Sequence, residues 1–545
     1  MIKRQLIIFI CITFLSIHGH GQGWKKYPHI PDGSLISFPF DEGRHPAESI
    51  EWWYTAGHLT GDNSGNSFSF MLTYFYFPAY GFDGFRILNV TNEETGAFYS
   101  ETAAVNYDIM AEDSLNIQAT TMGGNSEFWY NKTGIDDAII PFEYTLSAES
   151  GQNVLNLTYD SAKPPLILGD NGYFEQGENS YTYYYSLTKS VVEGTLDING
   201  MTEPVNGTAW IDRQYGTFNP LTEEKYEWFF IQLSNDMDIN IYNLFTPDRR
   251  LPDTATYRHM SIYVDTLTQY TSHDFEIERL AFNYMPDSVM CYSGKWRFTS
   301  TANNIDLLIT VNHNNSEIQL PFRFFEGSTH VMGTVNGEEV TGIGFAELLH
   351  SYEDPEMFIT YPSTDRWTAS RAISWEVSNP DDGRPLKYNL EYSIDDKESF
   401  LTLATELSDP YYFWDQPEIP DGSLCWFRIT AYSIDSTLIN SVISESASEY
   451  DPNLTSVDED QFRENDETTF RLFPNPADDM IFLELNEKHP FSSYQIFDIY
   501  GRTLKNQQII ASNRMQIDLN QFSQGIYFLG LKSGDGLFIS KFLIR

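Results

Sequence analysis

Val192–Asp212 reads VEGTLDINGMTEPVNGTAWID, and the same pattern returns at Val331–Glu347 as VMGTVNGEEVTGIGFAE. In each, a Val-x-Gly-Thr strand runs into an Asn-Gly pair, Asn199-Gly200 or Asn336-Gly337. A return strand then follows as Val-x-Gly-x-x-aromatic-x-acid. Asn-Gly between alternating apolar residues predicts a tight hairpin, because both central residues of a type I′ turn need positive φ. Two such hairpins point to a duplicated β unit. The preceding segments also align, with Tyr183 and Tyr185 matching Phe322 and Phe324. A further marker opens each unit: EWWY at Glu51–Tyr54 returns as EWFF at Glu227–Phe230. On this repeat Gly194 matches Gly333, Glu51 matches Glu227 and Asp212 matches Glu347. Strands this apolar require a closed or nearly closed barrel to hide their edges. The expected units are residues 30–200 and 201–360.

Composition agrees with an all-β chain. Its 545 residues exceed what one core can organise, and an aromatic share of 15% with 34 Tyr and 39 Phe favours strands. The formal net charge of −44 excludes nucleic acid as a partner and offers no basic patch to an anionic membrane. Lys3 and Arg4 precede the apolar run LIIFICITFLSI and the small-residue stretch HGHGQG. Residues 1–22 therefore read as a cleaved export signal, too short to span a bilayer, with no integral span expected after its removal. Cys11 lies inside that run, and Cys291 and Cys425 lie in different predicted domains, so neither disulfides nor a metal-ligand spacing is expected.

Beyond the duplicated core, residues 362–450 hold another set of short strands, including AISWEVSNPDDGRPLKYNLEYSIDD and LCWFRITAYSID. The tryptophan strand, the Asp-Asp-Gly turn and the WFRITAY strand resemble a fibronectin type III module, an Ig-like sandwich expected to act as spacer or adhesion unit. The acidic stretch within 451–469 reads as a linker. From residue 470 alternating strands and Gly/Asn turns form a small C-terminal β-sandwich. Its Pro474-Asn475-Pro476, Gly525-Ile526-Tyr527 and terminal Lys541–Arg545 resemble the sorting domain of the type IX secretion system. That resemblance implies the type IX machinery as a partner. It also implies passage across both membranes of a Bacteroidetes-type bacterium, to the cell surface or the medium.

Strand alternation sorts the chemistry of the core. Glu51, Trp53 and Thr55 share one face and Trp52, Tyr54 and His58 the other. Neither face is polar, so both should be buried. Trp210, Asp212 and Gln214 share a face opposite Arg213 and Tyr215, and Glu326 sides with Phe322 and Phe324. A carboxyl among aromatic rings is disfavoured in its charged form and can act as a general acid. The rings around it can stabilise a carbocation. That combination suits protonation of an electron-rich alkene. Architecture explains the same residues differently: Glu51 paired to Arg44 or Arg213 behind a packing Trp52, Asp212 in a salt bridge or turn, and Glu326 and Glu347 as structural acids. His45 then serves as a cap or ion-pair partner, and His58 as a satisfied core histidine. A Gly-x-Ser-x-Gly elbow, a Walker loop and His-Glu-x-x-His are absent from the mature sequence. Paired acids with aromatics leave a glycosidase as an outside alternative.

DEGRHPAESIEWWYTAGHL, YYYSLTKSVVEGTLDINGMTEPVNGTAWIDRQYG and FFEGSTHVMGTVNGEEVTGIGFAEL together resemble the AttH-type and carotenoid 1,2-hydratase family over residues 35–355. The resemblance implies two lipocalin-like β-barrel units packed together and an apolar ligand such as an isoprenoid, polyene or lipid. It calls for no cofactor and no metal. Asp41, His45, Glu51, Trp52, Trp53 and His58 fall in the first motif, and Trp210, Asp212 and Gly216 in the second. Arg213 and Tyr215 stand where the hydratases tend to carry His and Trp. The candidate catalytic residues are Asp212, leading, with His45, Glu51 and Arg213. The candidate lining is Trp53, Tyr54, Tyr185, Trp210, Tyr215, Phe324 and Glu326. The expected activity is that of an acid-base hydratase or cyclase. The alternatives are a non-catalytic lipid or terpenoid binder and a secreted hydrolase.

Overall fold

The computed structural model describes residues 23–454, apart from 80, 152, 220–223 and 364, and most of 470–544. The predicted export signal, most of the predicted linker and Pro474–Pro476 lie outside the described residues. Two compact units emerge, the larger carrying residues up to Asp365 and Arg371–Tyr450, the smaller built on the C-terminal strands.

The first sheet of the larger unit contains β1 (Ile50–Gly61), β2 (Ser67–Ala79), β3 (Phe82–Asn92), β4 (Ala97–Met110), β5 (Asn116–Thr121) and β6 (Ser126–Thr133). It continues with β7 (Ile139–Glu149), β8 (Asn153–Ser161), the short β9 (Leu166–Ile167) and β10 (Tyr173–Gln176), and the long β11 (Ser180–Ile198) and β12 (Met201–Gly216). Ordered β11-β12-β1-β2-β3-β4-β5-β6-β7-β8, with β8 returning to β11, they close a barrel. All neighbours are antiparallel, so short turns suffice to connect most of them. Its interior is filled, not hollow: Trp53, Tyr74, Trp129, Tyr144, Tyr159, Tyr185 and Tyr215 pack there with aliphatic side chains.

The second sheet contains β13 (Lys225–Leu233), β14 (Asp238–Phe245), β15 (Arg258–Asp265), β16 (Thr268–Ser272), β17 (Glu276–Tyr284) and β18 (Cys291–Ser300). It is completed by β19 (Ile305–Val311), β20 (Glu317–Ile318), β21 (Phe324–Val335) and β22 (Glu338–Leu348). Its order β16-β15-β14-β13-β22-β21-β19-β18-β17 makes an open half barrel around Phe229, Ile241, Trp296, Phe298 and Leu307.

Both Asn-Gly hairpins are present. Asn199 and Gly200 have φ of 54° and 81°, and Asn336 and Gly337 of 53° and 80°, as a type I′ turn requires. Gly194 faces Leu157 on β8, and Gly333 faces Leu307 on β19. A Cβ at Gly194 would stand 1.9 Å from the Asn156 carbonyl oxygen, and one at Gly333 2.1 Å from that of Asp306. The matched glycines thus serve the same close approach of strands. The expected boundary at 200/201 is corrected: the hairpin holds β12 between β11 and β1, so the first barrel runs to Gly216. Glu51 faces Tyr215, whereas Glu227 faces Leu348. The Glu-Trp repeat and the hairpin repeat are therefore out of step by two residues. An even slip leaves every side chain on its own face, so the chemical correspondence survives it.

Residues Met357–Tyr361 and Arg371–Tyr450 add two further antiparallel sheets, one around Ile373–Val377 and one built on Leu386–Ser393 and Leu424–Ser433. They sit tightly against the second sheet. Leu438 packs with Phe282, Cys291 and Tyr352, and the amide of Phe282 donates to Asp435 at 2.6 Å. Asp382, itself paired to Arg384, meets His350 Nε2 at 3.2 Å. Residues 371–450 are thus docked on the second sheet. The smaller unit pairs Phe470–Phe473, Met480–Leu485 and Arg514–Asp518 in one sheet and Thr503–Gln508, Phe491–Phe497, Gly525–Ser533 and Gly536–Ile544 in another. Ile481, Leu483, Ile496, Leu529 and Phe542 form the core between them.

Candidate functional site

Alternation along β1 and β12 decides which residues reach the filled barrel and which reach the second sheet. Odd-numbered Glu51, Trp53, Arg213 and Tyr215 turn inward; even-numbered Trp52, Tyr54, Trp210, Asp212 and Gln214 turn outward. The outward face meets Tyr226, Trp228 and Phe230 of β13 and Phe324 and Phe345 of β21 and β22 in one aromatic core. Within it a narrow, partly open cleft leaves a cavity of about 40 Å³. Trp52, Tyr54, Phe75, Asp212, Trp228 and Glu347 are among its walls. The cavity has room for water-sized groups, so a larger ligand requires the aromatic walls to part.

Asp212 is buried in this wall and 2% exposed. Its Oδ1 accepts from Ser186 Oγ at 2.5 Å and Trp210 Nε1 at 2.7 Å, and its Oδ2 from the Tyr184 hydroxyl at 2.8 Å. Asn240 Nδ2 in turn donates to that hydroxyl at 3.1 Å. No arginine, lysine or histidine among the described residues pairs with it. Burial, opposed by its three hydrogen bonds and reinforced by the charge of Glu347, pushes its pKa up to about 7. Trp210 is held in place by stacking on Phe230, with ring centroids 4.8 Å apart. A protonated Asp212 remains compatible with this setting, since the Ser186 and Tyr184 hydroxyls can turn from donor to acceptor.

Glu347, at the wall of the same cleft, and Glu326 behind it form a second acidic group. They face each other across β21 and β22, where the tight hairpin sets their register. Tyr54 of the first barrel donates to Glu326 Oε1 at 2.9 Å, and Tyr226 donates to Glu347. Burial, then the charge of Glu347, holds Glu326 well above the ordinary carboxyl range. Burial raises Glu347 as well.

The inward face is different. Arg213 forms an ion pair with Glu51 and donates to the Gly43 carbonyl at 2.6 Å, and its guanidinium lies 3.9 Å from the Trp53 ring. The His45 amide donates to Glu51 at 3.0 Å, and the imidazole stacks on Tyr215 with centroids 3.5 Å apart. His45 Nε2 meets Asp41 Oδ1 at 2.9 Å, and the Tyr215 hydroxyl donates to the same oxygen at 2.7 Å. Burial alone would raise Glu51; the Arg213 charge and the His45 hydrogen bonds outweigh it and hold the carboxyl below its usual value. Deeper inside, Glu42 accepts from Tyr27 at 2.6 Å, Asn131 at 2.7 Å and Tyr144 at 2.8 Å, and burial still lifts its pKa to about 7.

The structure therefore divides the sequence candidates. Asp212, Tyr54 and Phe324 line the cleft, with Glu326 and Trp210 packed directly behind them. His45, Glu51, Arg213, Trp53, Tyr185 and Tyr215 belong to the barrel interior, on the far side of the sheet. For Tyr185 and Tyr215 the correction is one of parity: Tyr184 and Ser186 stand opposite Gln214 and Asp212, so the neighbouring tyrosine reaches the cleft. Sequence reasoning missed Tyr184, Tyr226, Trp228 and Tyr242. The odd-even rule already applied to Arg213 would have found Tyr184 in the run Tyr183–Tyr185.

A closed barrel joined to a half barrel, with an acid-lined aromatic cleft between them, defines the class of protein. The chain belongs to the AttH-like family, whose family model matches residues 29–352. Residues 471–545 match the secretion system C-terminal sorting domain, which marks the protein for export to the cell surface or the medium. The chain is similar to a crystal structure of a candidate AttH from Nitrosomonas europaea at 18% identity and a TM-score of 0.49, covering 59% of this chain and 99% of that one. It is also similar to kievitone hydratase from Nectria haematococca, at 18% identity and a TM-score of 0.47, covering 59% and 98%. A comparison with curated proteins matches none.

Proposed function

We propose that the cleft between the barrels binds an elongated apolar molecule, an isoprenoid, polyene or lipid, and that Asp212 acts on it as a general acid in a hydration or cyclisation. The observation that carries this reading is the position of Asp212: a buried carboxyl without a cationic partner, at a wall of aromatic rings. A carboxyl that titrates near neutrality gives up a proton readily yet is regenerated in water. The faces of Trp52, Phe75 and Tyr242, which line the same cleft, suit a developing carbocation. Asp41, His45, Glu51 and Arg213 act in this scheme by fixing β1 and β12, and so the direction in which Asp212 points. Removal of the signal and of the sorting domain on export, and a fibronectin type III identity for residues 362–450, belong to the same proposal.

A non-catalytic carrier is the second reading, favoured by the three donors that Asp212 already engages. The deciding experiment extracts the purified exported protein for mass spectrometry of bound lipids, then incubates it with farnesol, retinol and squalene beside Asp212→Asn. Conversion lost in Asp212→Asn supports the acid. Conversion unchanged by that substitution removes Asp212 from the chemistry, and retention of a lipid with no conversion selects the carrier.

A further inference from the structure

Adding water across a double bond needs a base as well as an acid, and the cleft contains a suitable group within electrostatic reach of Asp212. Glu326 and Glu347 are direct cross-strand neighbours, and each is anchored by one tyrosine hydroxyl. No arginine, lysine or histidine among the described residues pairs with either. The second oxygen of Glu326, Oε2, is buried without a donor among the described residues, and its residue stands directly across the strand pair from Glu347. Two carboxyls buried as direct neighbours without a cation do not both ionise, so one proton stays with the pair. Glu326 is 1% exposed; Glu347 keeps part of its surface at the cleft wall.

Independent features mark an oxygen site beside this pair. Trp228 stands opposite Glu347 on β13 and lines the cleft. It is 3% exposed, yet its indole Nε1 has no hydrogen-bond partner among the described residues. The hydroxyl of Thr73, another wall residue at 3% exposure, has no partner among the described residues either. An indole N–H only donates, and burying a polar group without a partner is unfavourable, so the group calls for an acceptor oxygen.

We propose that Glu347, joined to Glu326 through one shared proton, is a second catalytic residue, the base that takes a proton from an oxygen held at the Trp228 indole. Glu326 is its positioning residue. The inference rests on Asp212 acting as the acid. In the hydration direction the Asp212 O–H bond breaks and a C–H bond forms, leaving a carbocation among the rings. Water at the Trp228 N–H forms the C–O bond, and the oxonium proton passes to the Glu347–Glu326 pair. The pair returns that proton to Asp212 through water in the cleft, so that one water is added and both acids are restored. When the captured oxygen is a hydroxyl of the substrate itself, the same steps close a cyclic ether.

The test uses the intact exported protein labelled with 13C-glutamate, followed by isotope-edited infrared spectroscopy at pH 8.5, where Glu42 is ionised. A protonated glutamate carbonyl band is expected in the wild-type protein and is lost in both Glu326→Gln and Glu347→Gln. With whichever of farnesol, retinol or squalene is converted, Glu347→Gln lowers kcat more than 100-fold with KM within about threefold. Glu326→Gln lowers kcat about tenfold. The wild-type spectrum is read without any substitution, so a variant that misfolds does not blunt the test. Absence of the band overturns the proposal, as does undiminished turnover in Glu347→Gln. Turnover lost in Asp212→Asn but kept in Glu347→Gln sinks the base and leaves the acid standing. No conversion of any probe by the wild-type protein removes the acid, and the base with it, even where the band is present.

Discussion

The two faces of β12 carry buried acid chemistry of opposite character, one residue apart. Toward the barrel interior, Arg213 meets Glu51, and the charges compensate within a network that also includes His45, Asp41 and Tyr215. Toward the cleft, Asp212 has only neutral donors and the repulsion of another acid. The second sheet repeats the contrast: Glu227 is locked by Arg279 at 2.5 Å and Tyr352 at 2.8 Å inside the half barrel, while Glu347 on the adjacent strand faces the cleft without a cation. Burial is similar on both faces. The countercharge decides whether a carboxyl pins the fold or keeps a proton available for transfer.

The sharpest way to break this contrast is at the paired face. Glu51→Gln leaves Arg213 buried without a countercharge and is expected to lower stability by about 3–5 kcal/mol, measured by urea denaturation at pH 7. Replacing both partners, Glu51→Gln with Arg213→Met, should cost less than Glu51→Gln alone, because it is the unpaired charge that is expensive. A double mutant as unstable as the sum of the singles would contradict that account.

At the unpaired face the sign reverses. The folded-state pKa of Asp212, about 7, lies above the ordinary value of 3.8. The folded protein therefore binds a proton more tightly than the unfolded chain does. The associated stability is fully present below the unfolded pKa and is lost as pH rises through the folded one. Asp212→Asn is accordingly expected to stabilise the protein by roughly 1–2 kcal/mol at pH 8.5, with the gain vanishing below about pH 4. Thermal unfolding across that range checks it, and a destabilised variant at pH 8.5 would show Asp212 to be a structural anion instead.

The smallest effect sharpens the comparison. Trp210→Phe removes one donor to Asp212 while keeping most of the stack on Phe230, and should cost about 1 kcal/mol. Losing that hydrogen bond also moves the Asp212 titration to higher pH, which carboxyl-selective NMR of the wild type and variant would show.

Much of this was legible in the sequence. Asn-Gly pairs forced the two hairpins, because few other dipeptides tolerate two successive positive φ angles. Period-two alternation separated Asp212 from Arg213 before any coordinates, and the apolar character of both faces of EWWY announced a strand buried on both sides. The pairing of Glu51 with Arg213 was visible as one of two structural options. The wall of the cleft opposite Asp212 was not visible. Tyr226, Trp228 and Glu347 reach it from a different sheet, and a strand's own pattern says which residues share a face, not what that face meets.

What the sequence determined by itself was therefore local: all-β architecture, the duplicated hairpins, the face on which each residue lies, and the C-terminal sorting domain. The tertiary structure alone decided that the first barrel closes while the second stays half open. It also decided that the barrel interior is filled, and that Asp212 and Glu347 share one cleft with Glu326 behind its wall. Register and alternation are set by neighbouring residues along the chain, whereas a carboxyl's countercharge, and hence its proton, depends on side chains distant in sequence, 52 residues away for Glu227 and 162 for Glu51.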